Sequence, residues 1–286
     1  MRPLLLGAHL SIAGGVSRAV ERAEPYGMTA LQIFTRSART WTCPPLADDE
    51  AERFRAALAA SKVRAACAHA TYLANVASPD RNARRRSERA LVDELTRCER
   101  LGLPWLVLHP GSRRGTTGGV KRAGAAIRRV LSATSGFAAG ILVENCAGQG
   151  DSLGDTFTEI GAVLAGAGDG ERLGMCLDTC HAFAAGYDLR TEEGFASARD
   201  EIDDRVGLVR VRVVHVNDSV RELGSRVDRH AGIGLGAMGE EPFRRLLADP
   251  VLGRLPLILE TPKEGPAGED LDARNLAILH DLQIGV

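Results

Sequence analysis

The sequence predicts an α/β fold, a (β/α)₈ barrel formed as one domain over residues 1–286. Three observations predict it: eight short apolar runs recur along the chain, the runs are nearly continuous rather than alternating, and amphipathic stretches of helical period lie between them. The runs are Leu4–Ala8, Leu31–Phe34, Ala65–Ala68, Trp105–Leu108, Ile141–Val143, Leu173–Leu177, Val211–Val214 and Leu257–Leu259. Strands that read as unbroken apolar runs are buried on both faces, as in a parallel sheet covered by helices. Helical spacing of Leu, Val, Ile and Ala, with Arg and Glu opposite, predicts helices over Ala51–Ser61, Ser87–Leu101, Val120–Leu131, Asp155–Ala165 and Glu192–Val206. The same periodicity fits a doubly wound open sheet, because apolar runs alone do not show that a sheet closes. The Gly- and Ser-containing stretches 111–119, 166–170 and 263–268 read as loops of ordinary length, and no linker divides the chain.

Composition narrows the classes of partner. Thirty-six Lys and Arg face 37 Asp and Glu, a formal net charge of −1, so no bulk basic signal points to nucleic acid or membrane. A polyanion would have to be held locally. The six cysteines at 43, 67, 98, 146, 176 and 180 contain no CxxC pair, which fits reduced thiols in a cytoplasmic protein; a monomer is expected. The opening MRPLLLGAHLS has too short an apolar run for a signal peptide or membrane anchor.

The polar residues at the ends of the runs are more specific. The first run leads to His9, the third to His69, the fourth to His109, the fifth to Glu144, the sixth to Asp178, the seventh to His215 and the eighth to Glu260. From His69 onward the separations are 40, 35, 34, 37 and 45 residues, each about one βα unit. Side chains at the C-terminal ends of successive barrel strands converge on one mouth, where barrel chemistry sits. His181, Asp228 and His230 add three candidates from the loops after the sixth and seventh strands.

Taken alone, Asp178 and His181 read equally as a helix cap beside a satisfied histidine, with Ala182–Gly186 a loop entering a helix. Nine such residues do not reduce to caps and core histidines. Five imidazoles and four carboxylates suit zinc or manganese rather than soft thiolate metals, and one tetrahedral ion would not use nine ligands. Two or three ions would, with a carboxylate bridging and open positions left for water or substrate. Unneutralised, the carboxylates would repel one another; three divalent ions more than offset them and leave a mouth that attracts phosphate.

The strings GAHLSIAGG, LHPGS, VENCAGQG, LDTCHAFAAGYDLRT and HVNDS followed by GSRVDRHAGIG resemble the endonuclease IV family, zinc-dependent apurinic/apyrimidinic endonucleases of DNA base excision repair. The likeness runs from Leu6 to about Pro262. It implies a (β/α)₈ barrel with three zinc ions, one replaceable by Mn²⁺, that cuts double-stranded DNA 5′ to an abasic site through a zinc-bound hydroxide and leaves 3′-hydroxyl and 5′-deoxyribose phosphate ends. Carried over by position, it implies His69, His109 and Glu144 for one ion, Glu144, Asp178, His215 and Glu260 for the second with Glu144 bridging, and His181, Asp228 and His230 for the third. Glu144 and Glu260 would be the catalytic carboxylates, Glu260 orienting or deprotonating the attacking water. Arg39, in FTRSARTW, and Tyr72 and Leu73, in HATYLANVASPD, match the residues that enter the DNA.

Such a site would select by shape, because a baseless sugar offers no base edge to read, and extruding it costs less than flipping a paired base. Arg113 is expected to meet DNA from a loop that opens on the mouth, while Arg84–Arg86 reads more simply as a solvated helix face. His9 either orients a ligand, lines the pocket or packs; His280 reads as structural in a C-terminal helix, and Cys176 and Cys180 as buried thiols. Two positions depart from the family pattern: Leu235 stands between Gly234 and Gly236 where a Glu is usual, and Arg113 replaces a His. Neither is an expected ligand. A two-metal sugar isomerase on the same barrel and a non-catalytic damaged-DNA binder are the competing readings. The first leaves Asp228-Arg229-His230, Arg39 and Tyr72 unexplained, and the second leaves the intact ligand set unexplained.

Overall fold

A computed structural model describes residues 4–168 and 170–284. Eight parallel strands close into a barrel: β1 (Leu6–Leu10), β2 (Ala30–Phe34), β3 (Ala65–His69), β4 (Trp105–Leu108), β5 (Gly140–Glu144), β6 (Leu173–Asp178), β7 (Val211–His215) and β8 (Leu257–Leu259). Each strand pairs with its sequence neighbours, and β8 closes on β1 with Leu6 opposite Leu257. The predicted closed barrel therefore holds, and the open sheet does not.

The helices are α1 (Ser17–Ala23), α2 (Asp48–Ala60), α3 (Arg81–Leu101), α4 (Gly119–Ala133), α5 (Phe157–Ala167), α6 (Thr179–Ala185), α7 (Glu192–Arg205), α8 (Glu241–Ala248) and α9 (Leu271–Ile284). They bury their apolar faces against the outward residues of the strands, among them Leu31, Ile33, Leu106, Leu108, Ile141 and Val143. α3 shows why these stretches are helical. Asp80 caps it by accepting from the Asn82 and Ala83 amides at 2.7 and 3.3 Å, a cap that stabilises by about 1 kcal/mol. Leu91, Leu95, Cys98 and Leu101 then line one buried face at helical spacing, and Gly102, with φ of 73°, ends the helix in the left-handed region.

Inside the barrel, the period of two sets the site. Cys67, Val107, Leu142, Cys176, Val213 and Ile258 belong to one small buried cluster in the interior. Two residues further along each strand stand His69, His109, Glu144, Asp178, His215 and Glu260, which must share the inward face at the next level toward the C-terminal mouth.

Several expectations shift. The first strand is Leu6–Leu10 rather than Leu4–Ala8, so His9 lies within it and not beyond it. The stretch after β6 is a helix from Thr179, not a loop, because Asp178 caps it and small helix formers follow; His181 is thus helical. α1 and α8 were not expected: α1 has no side-chain cap to announce it, and α8 is only eight residues long. Of the expected loops, Gly166 closes into α5 and Gly119 into α4; residue 169 and residues 1–3 of the opening stretch lie outside the described residues.

Candidate metal centre

Five histidines and four carboxylates of the mouth come within hydrogen-bonding or near-contact distance of one another. Among the described residues, three groups have ligand atoms within 4.8 Å: His69, His109 and Glu144; Glu144, Asp178, His215 and Glu260; and Asp178, His181 and His230. Glu144, fully buried at the end of β5, belongs to two of them. Its Oε2 lies 3.2 Å from Nε2 of both His69 and His109, and its Oε1 lies 3.0 Å from Nδ1 of His215. His215 Nδ1 is also 3.2 Å from Glu260 Oε2 and 3.8 Å from Asp178 Oδ2. Asp228, half-exposed, adds a triangle: its Oδ1 is 3.3 Å from His181 Nε2 and 3.5 Å from His230 Nε2, and those two nitrogens are 3.4 Å apart.

These spacings suit metal ions. Ligands bound to zinc at about 2.0–2.1 Å in a tetrahedron stand roughly 3.3 Å from one another. The far side of each ring is arranged accordingly. His69 Nδ1 meets the Ala70 carbonyl at 2.8 Å, His181 Nδ1 the Asn145 carbonyl at 3.0 Å and His230 Nδ1 the Glu260 carbonyl at 3.2 Å. His109 Nδ1 lies 3.2 Å from the Cys146 sulfur. A ring nitrogen donating to a backbone carbonyl fixes the tautomer that leaves the other nitrogen unprotonated and aimed inward, the arrangement metal-ligating histidines require.

Asp178 serves two purposes. Oδ1 accepts from the His181 amide at 2.7 Å as the cap of α6, while Oδ2 faces His215 and His230. The cap uses Oδ1 and leaves Oδ2 turned toward the cluster, so the cap reading holds and does not compete with the ligand reading. Asn145 clamps the Asp178 backbone through its amide and carbonyl, at 3.0 and 2.8 Å. Asn217 donates to Asp178 Oδ2 at 2.7 Å and accepts from the Glu260 amide at 2.8 Å.

Sequence reasoning missed Gln32. It is fully buried on β2, where Nε2 donates to Glu260 Oε1 at 2.6 Å and Oε1 meets His215 Nε2 at 2.8 Å. His9 Nδ1 stands 3.0 Å from the same amide and 3.4 Å from Glu260 Oε1, which places His9 beside a candidate ligand instead of in simple packing. A lone Gln inside an apolar run was the available signal.

Electrostatics follow burial and pairing. Burial raises the Glu144 and Glu260 carboxyls, but surrounding imidazoles overcome it: His109, His215 and His181 for the first, His215, His9 and His69 for the second; both end well below the usual carboxylate range. Asp228 is brought to about 2 in the same way, burial being outweighed by His181, His230 and His109. His109 is lowered by burial. His69 is raised, the Glu144 and Glu260 carboxylates outweighing its burial.

Above the cluster opens a cavity of about 480 Å³ lined by His9, His69, Tyr72, His109, Asp228 and Arg229, among others. Tyr72 is 65% exposed and set edge-on to Phe34 at 5.3 Å, with Leu73 half-buried beside it and Arg39 exposed in the loop after β2. Arg113 is spent within the protein: its guanidinium meets Glu159 at 2.9 and 3.2 Å and approaches Asp151 at 3.6 Å. Of the basic run, Arg84 donates to the Ser78 carbonyl, and Arg86 lies over the Trp41 ring at 5.1 Å. Leu235 is 57% exposed, in the turn whose Gly236 and Met238 amides donate to buried Asp218. Cys176 and Cys180 are buried and free, and His280 is an exposed residue of α9.

Known proteins resemble this chain over nearly its whole length. The family described as xylose isomerase-like TIM barrel matches residues 20–281. The chain is 45% identical over 283 residues to a probable endonuclease 4 of Chloroflexus aurantiacus, covering 98% of each. A crystal structure of endonuclease IV from Thermus thermophilus superposes with a TM-score of 0.87 at 40% identity, over 99% of this chain and 100% of that one. A D-psicose 3-epimerase from Clostridium cellulolyticum H10, at 15% identity and a TM-score of 0.70 over 99% of each chain, shares the fold alone. The chain belongs to the endonuclease IV family within the xylose isomerase-like TIM barrels.

Proposed function

We propose that the protein is a DNA-repair endonuclease that hydrolyses the phosphodiester bond 5′ to an abasic site, leaving a 3′-hydroxyl and a 5′-deoxyribose phosphate. The observation that carries this reading is the meeting of five imidazoles and four carboxylates at one barrel mouth in a chain 45% identical to a probable endonuclease 4.

The ligand sets would be His69, His109 and Glu144; Glu144, Asp178, His215 and Glu260; and His181, Asp228 and His230. They would hold three zinc ions, one replaceable by manganese. When bound, the ions would supply a water of lowered pKa and positive charge for the phosphate oxygens. Glu144 would serve two of these sites, since one of its oxygens faces His69 and His109 and the other faces His215. Glu260 keeps one oxygen on Gln32 and turns the other toward His215, an orientation that suits it to align or deprotonate the attacking water. Arg229, exposed at the rim of the cavity, adds positive charge where a phosphate would enter.

The substrate is double-stranded DNA. Tyr72, Leu73 and Arg39 would fill the gap left by the extruded sugar, and selection would rest on shape. Arg113 reaches the backbone only by leaving Glu159. Action as a monomer in the cytoplasm completes the proposal; the six unpaired cysteines suit a reducing compartment, and among the described residues no helix is long and apolar enough to cross a membrane. The competing sugar-isomerase reading calls for a lysine near the metals, and the lysine lining the cavity, Lys263, has its ammonium held by Asp272 at 2.9 and 3.0 Å. Parallel assays on an abasic duplex and on a ketohexose test the choice: cutting of the first with no turnover of the second is expected, and the reverse overturns the proposal.

A further inference from the structure

The loop after β2 carries Arg39, and the loop after β3 carries Tyr72 and Leu73. Both lie against α3, and one side chain of α3 bonds to both. Glu94, whose side chain is 1% exposed, meets Arg36 Nε through Oε1 at 3.3 Å. The same carboxylate accepts from the Thr71 amide at 3.3 and 3.2 Å. Thr71 closes the circuit, since its buried hydroxyl donates to the Ala38 carbonyl at 2.7 Å. Arg36 in turn donates to the Trp41 carbonyl at 3.1 Å. Ala38 immediately precedes Arg39, and Thr71 immediately precedes Tyr72.

This circuit is costly if its purpose is stability. Burial pushes the Glu94 carboxyl up to about 7 although Arg36 lies against it. Arg36, with its side chain 3% exposed, leaves Nη2 without a partner among the described residues. A buried ion pair is often matched or exceeded in stability by apolar side chains of the same volume, whereas its directional bonds can fix one arrangement of the chain. Other residues of α3 hold the same loops one at a time: Arg97 reaches the Thr35 and Pro44 carbonyls, and the Ser87 hydroxyl accepts from the Asn75 amide at 2.9 Å.

We propose that Glu94, Arg36 and Thr71 are positioning residues that fix Arg39 relative to Tyr72 and Leu73, and so set how strongly the protein prefers a baseless site over intact duplex. The inference rests on the proposed reading of those three side chains as DNA contacts. None of the positioning residues is among the candidate metal ligands, so their effect falls on recognition.

The test uses the zinc-loaded full chain with Thr71→Val, Thr71→Ser and Glu94→Gln. Thr71→Val removes the hydroxyl bond at nearly constant volume, and Thr71→Ser keeps it. KM for an abasic duplex is expected to rise several-fold to about ten-fold in Thr71→Val and Glu94→Gln, the scale of a lost buried hydrogen bond. The preference for abasic over intact duplex falls in step, kcat and bound zinc stay near wild type, and Thr71→Ser restores the wild-type KM. If Glu94→Gln fails to fold, the Thr71 pair decides. Wild-type KM and preference in Thr71→Val overturn the inference, as does a loss of zinc that tracks the loss of activity. A wild-type protein that neither cuts nor prefers the abasic duplex overturns the functional reading and this inference together; a wild type that does both, with variants that match it, overturns the inference alone.

Discussion

Gln32 donates its amide to Glu260 across 2.6 Å, from a strand six places away in the chain but two places away around the barrel. With its carbonyl on His215 Nε2, one side chain orients two candidate ligands. Gln32→Leu leaves both without that partner. Zinc affinity should fall about 10- to 100-fold, the usual cost of removing an outer hydrogen bond to a metal ligand, as read by competition with a chromophoric chelator. Unchanged affinity would show that Gln32 only fills the core.

The two roles of Asp178 are separable. Asn caps helices about as well as Asp but carries no charge, so Asp178→Asn should keep the cap while losing the pairing with His181 and lowering zinc uptake. Asp178→Ala should lose the cap as well and cost about 1 kcal/mol more. Equal stability of the two variants would remove the cap from the account.

Without metal, the cluster makes stability depend on pH in two directions. Burial lowers His181 and His215, but the carboxylates of Asp178, Asp228 and Glu144 around the first, and the Cys176 sulfur with Glu260 and Glu144 around the second, raise both well above 6.5. A raised pKa contributes stability that is full below the unfolded value and is lost as pH climbs through the folded one. Glu144 and Glu260, lowered well below 4.5, contribute stability above that value and lose it as pH falls through their folded values. Apo stability from these groups should therefore be greatest between 4.5 and 6.5 and decline above. Zinc needs neutral imidazoles, so the rise in melting temperature on adding zinc should grow from about pH 6 to pH 8, with protons released on binding. Calorimetry in buffers of different ionisation enthalpy measures that release; none would contradict the ligand assignment.

Cutting and grip should come apart under two substitutions. Glu260→Gln is expected to lower the cutting rate by about a hundred-fold or more while the abasic duplex still binds. Tyr72→Ala should weaken that binding by about ten-fold with zinc content unchanged, the scale of a lost aromatic stacking contact. Anisotropy titrations with metal analysis on the same samples decide both: lost binding in the first would refute the role of Glu260, and lost zinc in the second would make Tyr72 structural.

Much of this site was readable in the sequence because a parallel barrel turns chain spacing into geometry. His69, His109, Glu144, Asp178, His215 and Glu260 each follow an apolar run, and a strand's end is a fixed place at the mouth. Asp228 and His230 stand on an excursion after β7 in which His230 pairs with Ser219 in a two-residue antiparallel ladder, and no local period says where such an excursion returns; the motif likeness supplied their assignment to one ion. Gln32, Asn145 and Asn217 escaped because each adjoins or interrupts a strand as a neutral amide, and what it does depends on which two partners the closed barrel brings together. The loop circuit of Arg36, Thr71 and Glu94 spans 58 residues and has no sequence signature at all.

We propose this mouth to be a metal-dependent abasic-site nuclease. A duplex bearing one abasic analogue, incubated with protein whose zinc content is measured on the same sample, tests it most directly. A single nick 5′ to the lesion with a 3′-hydroxyl end, lost on chelation and regained with zinc, is the predicted result. No incision by protein that has taken up its full complement of zinc would contradict it.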